Sequence, residues 1–486
     1  MLDGKSLFKD IFLIYGFWGY FVNFLLLKIY PNISNLLILS NVLSLLNVII
    51  LYLIFKKYST NSCALLFSLA FIFCSVFSCA TFSFVIPYSY SVLWAYFSAY
   101  LLLFSILYEK NCLIFLSLSL LSVARIELFL PLFLISVVYL IIKKQKVGLN
   151  FLFIFLFPII FLGYILLNKI SYSDILYNFL FIKKMLIAPS LSYLYKGMGV
   201  FFNYEYFIYN IKNLFLYSLI FLSTYFIYKK INIYFSFALF FILMLFCDVI
   251  FVLNLAVFIL IVLFLISLIK KKTTYFDSVL FLFSLVLSLK SIFALNIWSY
   301  GNFSFILVIF NIYLLLNKFM DKSYLNKHFL IFFILLSFMN LKNLYFDSKT
   351  LYKTENNFIY IKNNDYNSFV NLDKYIKNNL KENENLIVLP EGQIFNILNK
   401  KTWDFYNSTF TPLDFQTFGD EFFISQLKNN KTDYIVFYPR DTRDYGYKNI
   451  CKDYAVDFCR YIVDNYKRID DLKEFNIEIY KINYEK

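Results

Sequence analysis

Arg125 and Glu127 are residues of this 486-residue chain whose types and spacing point to chemistry. They stand in Ser122-Val123-Ala124-Arg125-Ile126-Glu127, between two very apolar stretches. Ionisable groups at such depth in a membrane are costly and functional candidates by default. Only five of the 45 basic residues are arginine, and Arg125 alone lies in the apolar region. Its planar fork can hold phosphate or carboxylate in two hydrogen bonds, where lysine makes a point contact. The competing reading is an arginine at a turn, paired with a nearby acid. Glu127 is expected to orient Arg125 or a substrate. A second set, Lys183, Lys184 and Lys196, accompanies an amphipathic stretch at 174–188 suited to lying on a membrane surface. These lysines are candidates for lipid phosphate or for ordinary headgroup contact, and Lys290 has the same double reading. Asp174, Glu205 and Asp248 are spare carboxylates.

These residues need elements to position them, and hydropathy supplies the elements. Apolar stretches near 35–55, 63–86, 89–108, 149–168, 211–228, 249–269, 275–292 and 298–317 are long enough to cross a hydrocarbon core of roughly 30 Å. Shorter ones at 112–124, 127–142, 232–247 and 328–342 bring the expected count to about twelve. Between them lie Lys56-Lys57, Lys143-Lys144-x-Lys146, Lys229-Lys230, Lys270-Lys271-Lys272 and the Lys318, Lys322, Lys327 group. Each cluster is separated from the next by an even number of crossings, so all five can be cytoplasmic, as the positive-inside rule requires. The loop at 170–210 and everything after 342 then fall outside. His328 falls on the cytoplasmic side, which argues against His-based catalysis or a His metal site on the outer face. The run 11–29 is interrupted by Gly16, Gly19, Asn23 and Lys28 and followed by Pro31, a pattern that suits the membrane interface.

The expected fold is a polytopic α-helical membrane protein of about 12–13 membrane helices with a small C-terminal mixed α/β extracytoplasmic domain. Residues 1–342 form the membrane part, with 1–34 as an outer loop, and residues 343–486 the appendage. In the appendage, helical spacing at 366–380 leads into the strand-like Leu386–Leu389, then Pro390-Glu391-Gly392 and another helix. A helix at 420–428, a strand at 434–438, a helix at 452–466 and a strand over 475–482 follow. Cys451 and Cys459, eight residues apart on one helix, would stand roughly 12 Å apart, too far to bridge. The other five cysteines lie in apolar segments as small core residues.

Composition agrees with a membrane protein: 60% of residues are hydrophobic and mean hydropathy is +0.67. The 63 Phe, 42 Tyr and predominance of lysine over arginine suggest an AT-rich coding bias. The net charge of +14 therefore reflects cytoplasmic anchors and implies no nucleic-acid partner. Only 11 glycines and no glycine-rich phosphate loop argue against a nucleotide-driven pump. No signal peptide is visible at Met1-Leu2-Asp3-Gly4-Lys5-Ser6.

Gly4-x-x-x-Phe8-Lys9-Asp10-Ile11-Phe12-x-x-Tyr15-Gly16, followed by an apolar helix ending Leu27-Lys28-Ile29-Tyr30, resembles the first extracytoplasmic loop of GT-C glycosyltransferases. That class includes protein O-mannosyltransferases and lipid A aminoarabinose transferases. Leu289-Lys290-Ser291-Ile292-Phe293 with Tyr300-Gly301 is similar to a late helix pair of bacterial members. Pro390-Glu391-Gly392-x-x-x-Asn396, Tyr434-Ile435-Val436 and Arg440-Asp441-Thr442-Arg443-Asp444-Tyr445-Gly446 resemble their C-terminal domain. The resemblance implies a plasma-membrane (inner-membrane) transferase moving a sugar from a polyprenyl-phosphate donor to an envelope glycan, lipid or protein. Asp10 is then the catalytic carboxylate, general base or base-orienting, or else an interfacial cap for the helix that follows. Arg125, Glu127, Lys183, Lys184, Lys290 and Tyr300 are the expected substrate-binding set. No cofactor beyond the lipid-linked sugar is implied, and a divalent metal is left open. Phe17 stands where the family commonly has proline, and the family's first span and Asp-Glu pair have no counterpart. A misassigned start or a truncated, inactive relative is therefore expected. A lipid-linked glycan transporter or flippase and an envelope polysaccharide polymerase remain the alternatives; no internal repeat favours the transporter.

Overall fold

A computed structural model describes residues 4–30, 32–73, 89–145, 147–197, 204–245, 249–289, 305–346, 349–354, 358–430, 432–469 and 472–483. Its first part is helical: α1 (Phe17–Ile29), α2 (Ile33–Tyr58), α3 (Asn61–Phe71), α4 (Tyr90–Leu107), α5 (Asn111–Ala124) and α6 (Ile126–Ile142). A 3₁₀ segment, Gly148–Phe155, runs into α7 (Leu156–Leu167), followed by α8 (Tyr172–Ile187), α9 (Pro189–Gly197), α10 (Tyr204–Lys230) and α11 (Ile233–Met244). Then come α12 (Val249–Asn254), α13 (Ala256–Ile269), α14 (Tyr275–Leu287), α15 (Phe305–Leu316) and α16 (Lys322–Phe346). Among the described residues, Asn35–Tyr58, Tyr90–Leu107, Gly148–Leu167 and Phe207–Lys230 are individually long and apolar enough to cross a membrane. The pair α8–α9, bent by 59°, is a fifth candidate.

The expected count of about twelve spans is higher because many apolar helices are short. A 14-residue helix such as α5 rises only about 21 Å. The expected span 249–269 is broken at Leu255 into α12 and α13. Parts of the expected spans 63–86, 232–247, 275–292 and 298–317 lie outside the described residues.

The lysine-bearing loops meet at one end of the bundle. Lys57 lies over the rings of Tyr108 and Phe276, at 4.5 and 5.6 Å, and Lys143 lies over Phe276 at 5.2 Å. Lys318 pairs with Asp277, and Lys272 donates to the Lys318 carbonyl at 2.9 Å. Lys229 reaches Asp321 at 3.5 Å. Aromatic faces and carboxylates thus gather cations that would otherwise repel one another.

The C-terminal part begins with the antiparallel hairpin β1 (Lys349–Lys353) and β2 (Phe358–Lys362), then α17 (Asn363–Asn379), β3 (Leu386–Leu389) and α18 (Gln393–Leu398). Helices α19 (Pro412–Phe418) and α20 (Asp420–Asn430) precede β4 (Tyr434–Phe437), α21 (Val456–Asn465), β5 (Tyr466–Ile469) and β6 (Glu478–Ile482). The second sheet has order β3-β4-β6-β5, with β3 parallel to β4 and the other pairs antiparallel. Strand periodicity sorts its side chains. Leu386, Val388, Tyr434 and Val436 pack with Phe369, Leu372 and Phe395, while Ile387, Leu389 and Ile435 pack with Phe410, Phe423 and Phe458. The hairpin, α19 and β5 are elements that hydropathy does not announce.

Cys451 and Cys459 form a disulfide, with Cα atoms 5.4 Å apart, which corrects the expectation that they could not bridge. The helix starts later than the spacing suggests. Cys451 and Ala455 adopt positive φ, 71° and 58°, so the chain doubles back before α21 begins at Val456.

Asp414 caps α19: its Oδ2 accepts from Thr411 N and Oγ1, both at 2.7 Å, and from Thr409 Oγ1 at 2.8 Å. Burial nevertheless pushes its pKa up to about 6, against the downward pull of the threonines. A carboxyl raised in the folded state holds its proton after the unfolded chain has lost its own, so folding weakens as pH rises between the two values. We expect this group to cost roughly 2 kcal/mol of stability between about pH 4.5 and about pH 7.5. Asp414→Asn should remove that component, read by thermal unfolding of the full chain at both pH values. An unchanged pH dependence would contradict it.

Candidate functional site

Arg125 occupies the single residue between α5 and α6, with φ −156° and ψ 101°. Its N–H bonds the Leu121 carbonyl at 2.9 Å, and its own carbonyl accepts from Leu128 and Phe129 at 3.2 and 3.1 Å. The extended residue therefore ends one helix and starts the next. Lys143 closes the far end of α6, roughly 26 Å along a 17-residue helix. Arg125 thus sits at the end opposite the lysine loops.

The guanidinium is largely enclosed, its side chain 11% exposed, and bonds Glu127 Oε1 at 2.7 Å; the Glu127 side chain is 50% exposed. Over the guanidinium lies the ring of Tyr15, 4.8 Å from Cζ. Tyr15 is held there by its neighbour. A Cβ on Gly16 would lie 1.8 Å from the Ala124 carbonyl oxygen, so only glycine allows this backbone approach. Ser91 Oγ donates to the Gly16 carbonyl at 2.9 Å.

Arg125 and Glu127 line a cavity of about 340 Å³ between α4, α6 and α14. Its other walls are Val92, Ala95, Tyr96, Leu128, Pro131, leucines and a valine of α14, and Leu289 just beyond it. Tyr96 is buried and donates to the Leu287 carbonyl at 3.2 Å. Among the described residues the cavity thus has one cation, one carboxylate and long apolar walls, a shape suited to an anionic group joined to a hydrocarbon chain.

Residues 4–16 run between the helical part and the C-terminal part. Lys5 pairs with Asp404 at 2.5 Å and bonds the Trp403 carbonyl at 2.7 Å. Phe12 N–H bonds the Tyr406 carbonyl at 2.6 Å, and Leu13 exchanges hydrogen bonds with the Asn178 side chain. Phe12 and Phe181 pack on Phe418 with centroids 5.2 and 4.4 Å away.

Asp10 belongs to this strap. Its Oδ2 accepts from Ser6 N and Ser6 Oγ at 2.8 and 2.9 Å, stapling a turn. It is not among the residues lining the Arg125 cavity. Lys183 and Lys184 are exposed on α8, Lys184 5.4 Å from the Phe181 ring, and neither lines the cavity. Lys290 and Tyr300 lie outside the described residues, as does Asp248. Asp174 caps α8 through Ser171. His328 is buried inside the bundle. Among the described residues no cluster of three or more His, Cys, Asp or Glu could hold a metal. Tyr15 as the cover of Arg125 and the Gly16–Ala124 contact had no announcement in the sequence, because both join segments over a hundred residues apart.

Comparisons with protein families, with curated proteins and with solved structures return no match.

Proposed function

We propose that the chain is a multi-pass plasma-membrane glycosyltransferase of GT-C type, moving a sugar from a polyprenyl-phosphate donor to an envelope acceptor on the outer face. The supporting observation is the Arg125 cavity: a stacked, largely enclosed guanidinium at the mouth of apolar walls. In this reading the donor's phosphate takes the Arg125 fork and its isoprenoid chain the walls of α4, α6 and α14. Phosphate displaces Glu127 from Arg125. The freed carboxylate then accepts the proton of the acceptor hydroxyl as that oxygen bonds the anomeric carbon. The bond from anomeric carbon to phosphate oxygen breaks, polyprenyl phosphate leaves with its charge held by Arg125, and the anomeric centre inverts. The contacts of Asp10 with Ser6 support a holding role in the strap. The test is release of polyprenyl phosphate by the purified chain. Glu127→Gln should abolish it and Asp10→Asn should reduce it mildly; the reverse order would return the base role to Asp10.

The orientation rests on the lysine loops gathered at one end, away from Arg125. The Cys451–Cys459 disulfide supports an oxidising compartment for the C-terminal part. In intact cells an impermeant maleimide should label Lys184→Cys, while Lys271→Cys should react only after permeabilisation. The opposite pattern would reverse the orientation.

A further inference from the structure

Helix α8 has two faces with different surroundings. Its buried residues are Asn178 and Phe181. Asn178 holds the strap at Leu13, and Phe181 packs on Phe418 and Phe422 with centroids 4.4 and 5.7 Å away, so this face is committed to protein. Tyr172, Leu176, Phe179, Leu180 and Ile187 are 45% to 79% exposed. At about 3.6 residues per turn they fall on the side of the helix opposite Asn178 and Phe181, with Lys183 among them and Lys184 at their edge. Length and composition admit α8 and α9 together as a bent crossing, but their contacts favour another placement. The strap and the C-terminal part run along one side of both helices, with Gln416 accepting from the Ser190 N–H of α9 at 2.9 Å. The α20 turn that supplies Phe422 also carries Asp420 and Glu421. A helix pair clothed on one side by charged chain is not surrounded by hydrocarbon, whereas a position along the membrane surface satisfies both faces.

We propose that the exposed face of α8 rests on the membrane surface and selects anionic phospholipid there, its apolar side chains entering the acyl boundary while Lys183 and Lys184 meet headgroup phosphates. The charge of the segment carries that choice. Lys169 just before α8, Lys183, Lys184, and Lys196 at the end of α9 are exposed. The acid of α8, Asp174, is instead tied into the cap, accepting from the Ser171 N–H and Oγ at 2.8 and 2.7 Å. Lysine stems lie along apolar surface while their ammonium groups reach the headgroup level, where a negative leaflet attracts them. A neutral surface would satisfy the apolar side chains alone. A protein partner is disfavoured, because lysine is depleted from the cores of protein interfaces and Lys183 stands in the middle of this face. Through Asn178 and Phe181 the same helix seats the strap and the C-terminal part on the bilayer. The proposal is independent of glycosyl transfer.

The test places the purified protein in phosphatidylcholine nanodiscs containing a trace of photoreactive phosphatidylglycerol or of photoreactive phosphatidylcholine, each with a diazirine on its acyl chain close to the headgroup. Peptide mapping by mass spectrometry should find α8 labelled by both lipids, and about fivefold more by phosphatidylglycerol. Lys183→Gln combined with Lys184→Gln changes two exposed side chains and should bring that ratio to about one, with labelling of α7 unchanged. Labelling of α7 without α8 would mean that water or another protein covers the face. Equal labelling of α8 by the two lipids would remove the anionic preference, and a ratio unmoved by the double variant would remove the lysines from it. Each of these three results would overturn the proposal.

Discussion

Replacement of Arg125 by alanine is expected to weaken binding of a polyprenyl-phosphate sugar by about 100-fold or more, with the fold retained. Charge-assisted hydrogen bonds contribute about 1.5–3 kcal/mol each, and the fork can make two to a phosphate. The fold should persist because the substitution strands no buried charge: the Glu127 carboxylate left behind is half exposed and can be hydrated. Arg125→Lys is the sharper variant. It keeps the charge but loses the bidentate geometry and much of the stacking on Tyr15, so binding should fall by about tenfold. Titration of the donor into nanodisc-embedded protein measures both. Wild-type affinity in Arg125→Ala would remove the guanidinium from the site.

Gly16→Ala should be among the most damaging single substitutions in the chain. Its Cβ would come within 1.8 Å of the Ala124 carbonyl oxygen and 2.4 Å of the carbonyl carbon, backbone atoms fixed by the end of α5. Relief requires moving α1 away from the α5–α6 turn, at a cost of about 3 kcal/mol or more. Tyr15 would move with it and uncover Arg125, so donor binding should fall alongside stability. Gly163→Ala provides the internal comparison. A Cβ there meets nothing within 4 Å, and the residue lies inside α7. The same chemical change should stabilise that helix by up to about 1 kcal/mol. Thermal unfolding of the two variants should therefore shift in opposite directions, and parallel shifts would refute the packing argument.

Much of the architecture is legible because one-dimensional signals govern it. Long, predominantly apolar runs specify α2, α4 and α10, and the charged Arg125-x-Glu127 between apolar runs marks the turn between α5 and α6. Strands β3 and β4 follow from short, fully apolar runs buried on both faces of a sheet. What the sequence hides depends on chain reversals and distant contacts. The Cys451–Cys459 bridge rests on positive φ at Cys451 and Ala455, residue types that rarely adopt that conformation and so do not signal it. The break at Leu255 follows a single polar residue, Asn254, in an otherwise apolar run, too slight an interruption for hydropathy, which reads 249–269 as one span. The strap of residues 4–16 owes its position to Trp403, Asp404 and Tyr406, nearly four hundred residues away. Asp10, in isolation a candidate base, is there bound to Ser6.

The most direct measurement is turnover. Purified protein in nanodiscs would be incubated with a polyprenyl phosphate bearing a radiolabelled hexose and with an envelope lipid extract as acceptor. Wild-type protein should transfer label to the extract with equimolar release of polyprenyl phosphate, and Arg125→Ala should lose both. Transfer undiminished in Arg125→Ala, or an intact donor after incubation of wild-type protein, would contradict the proposed function.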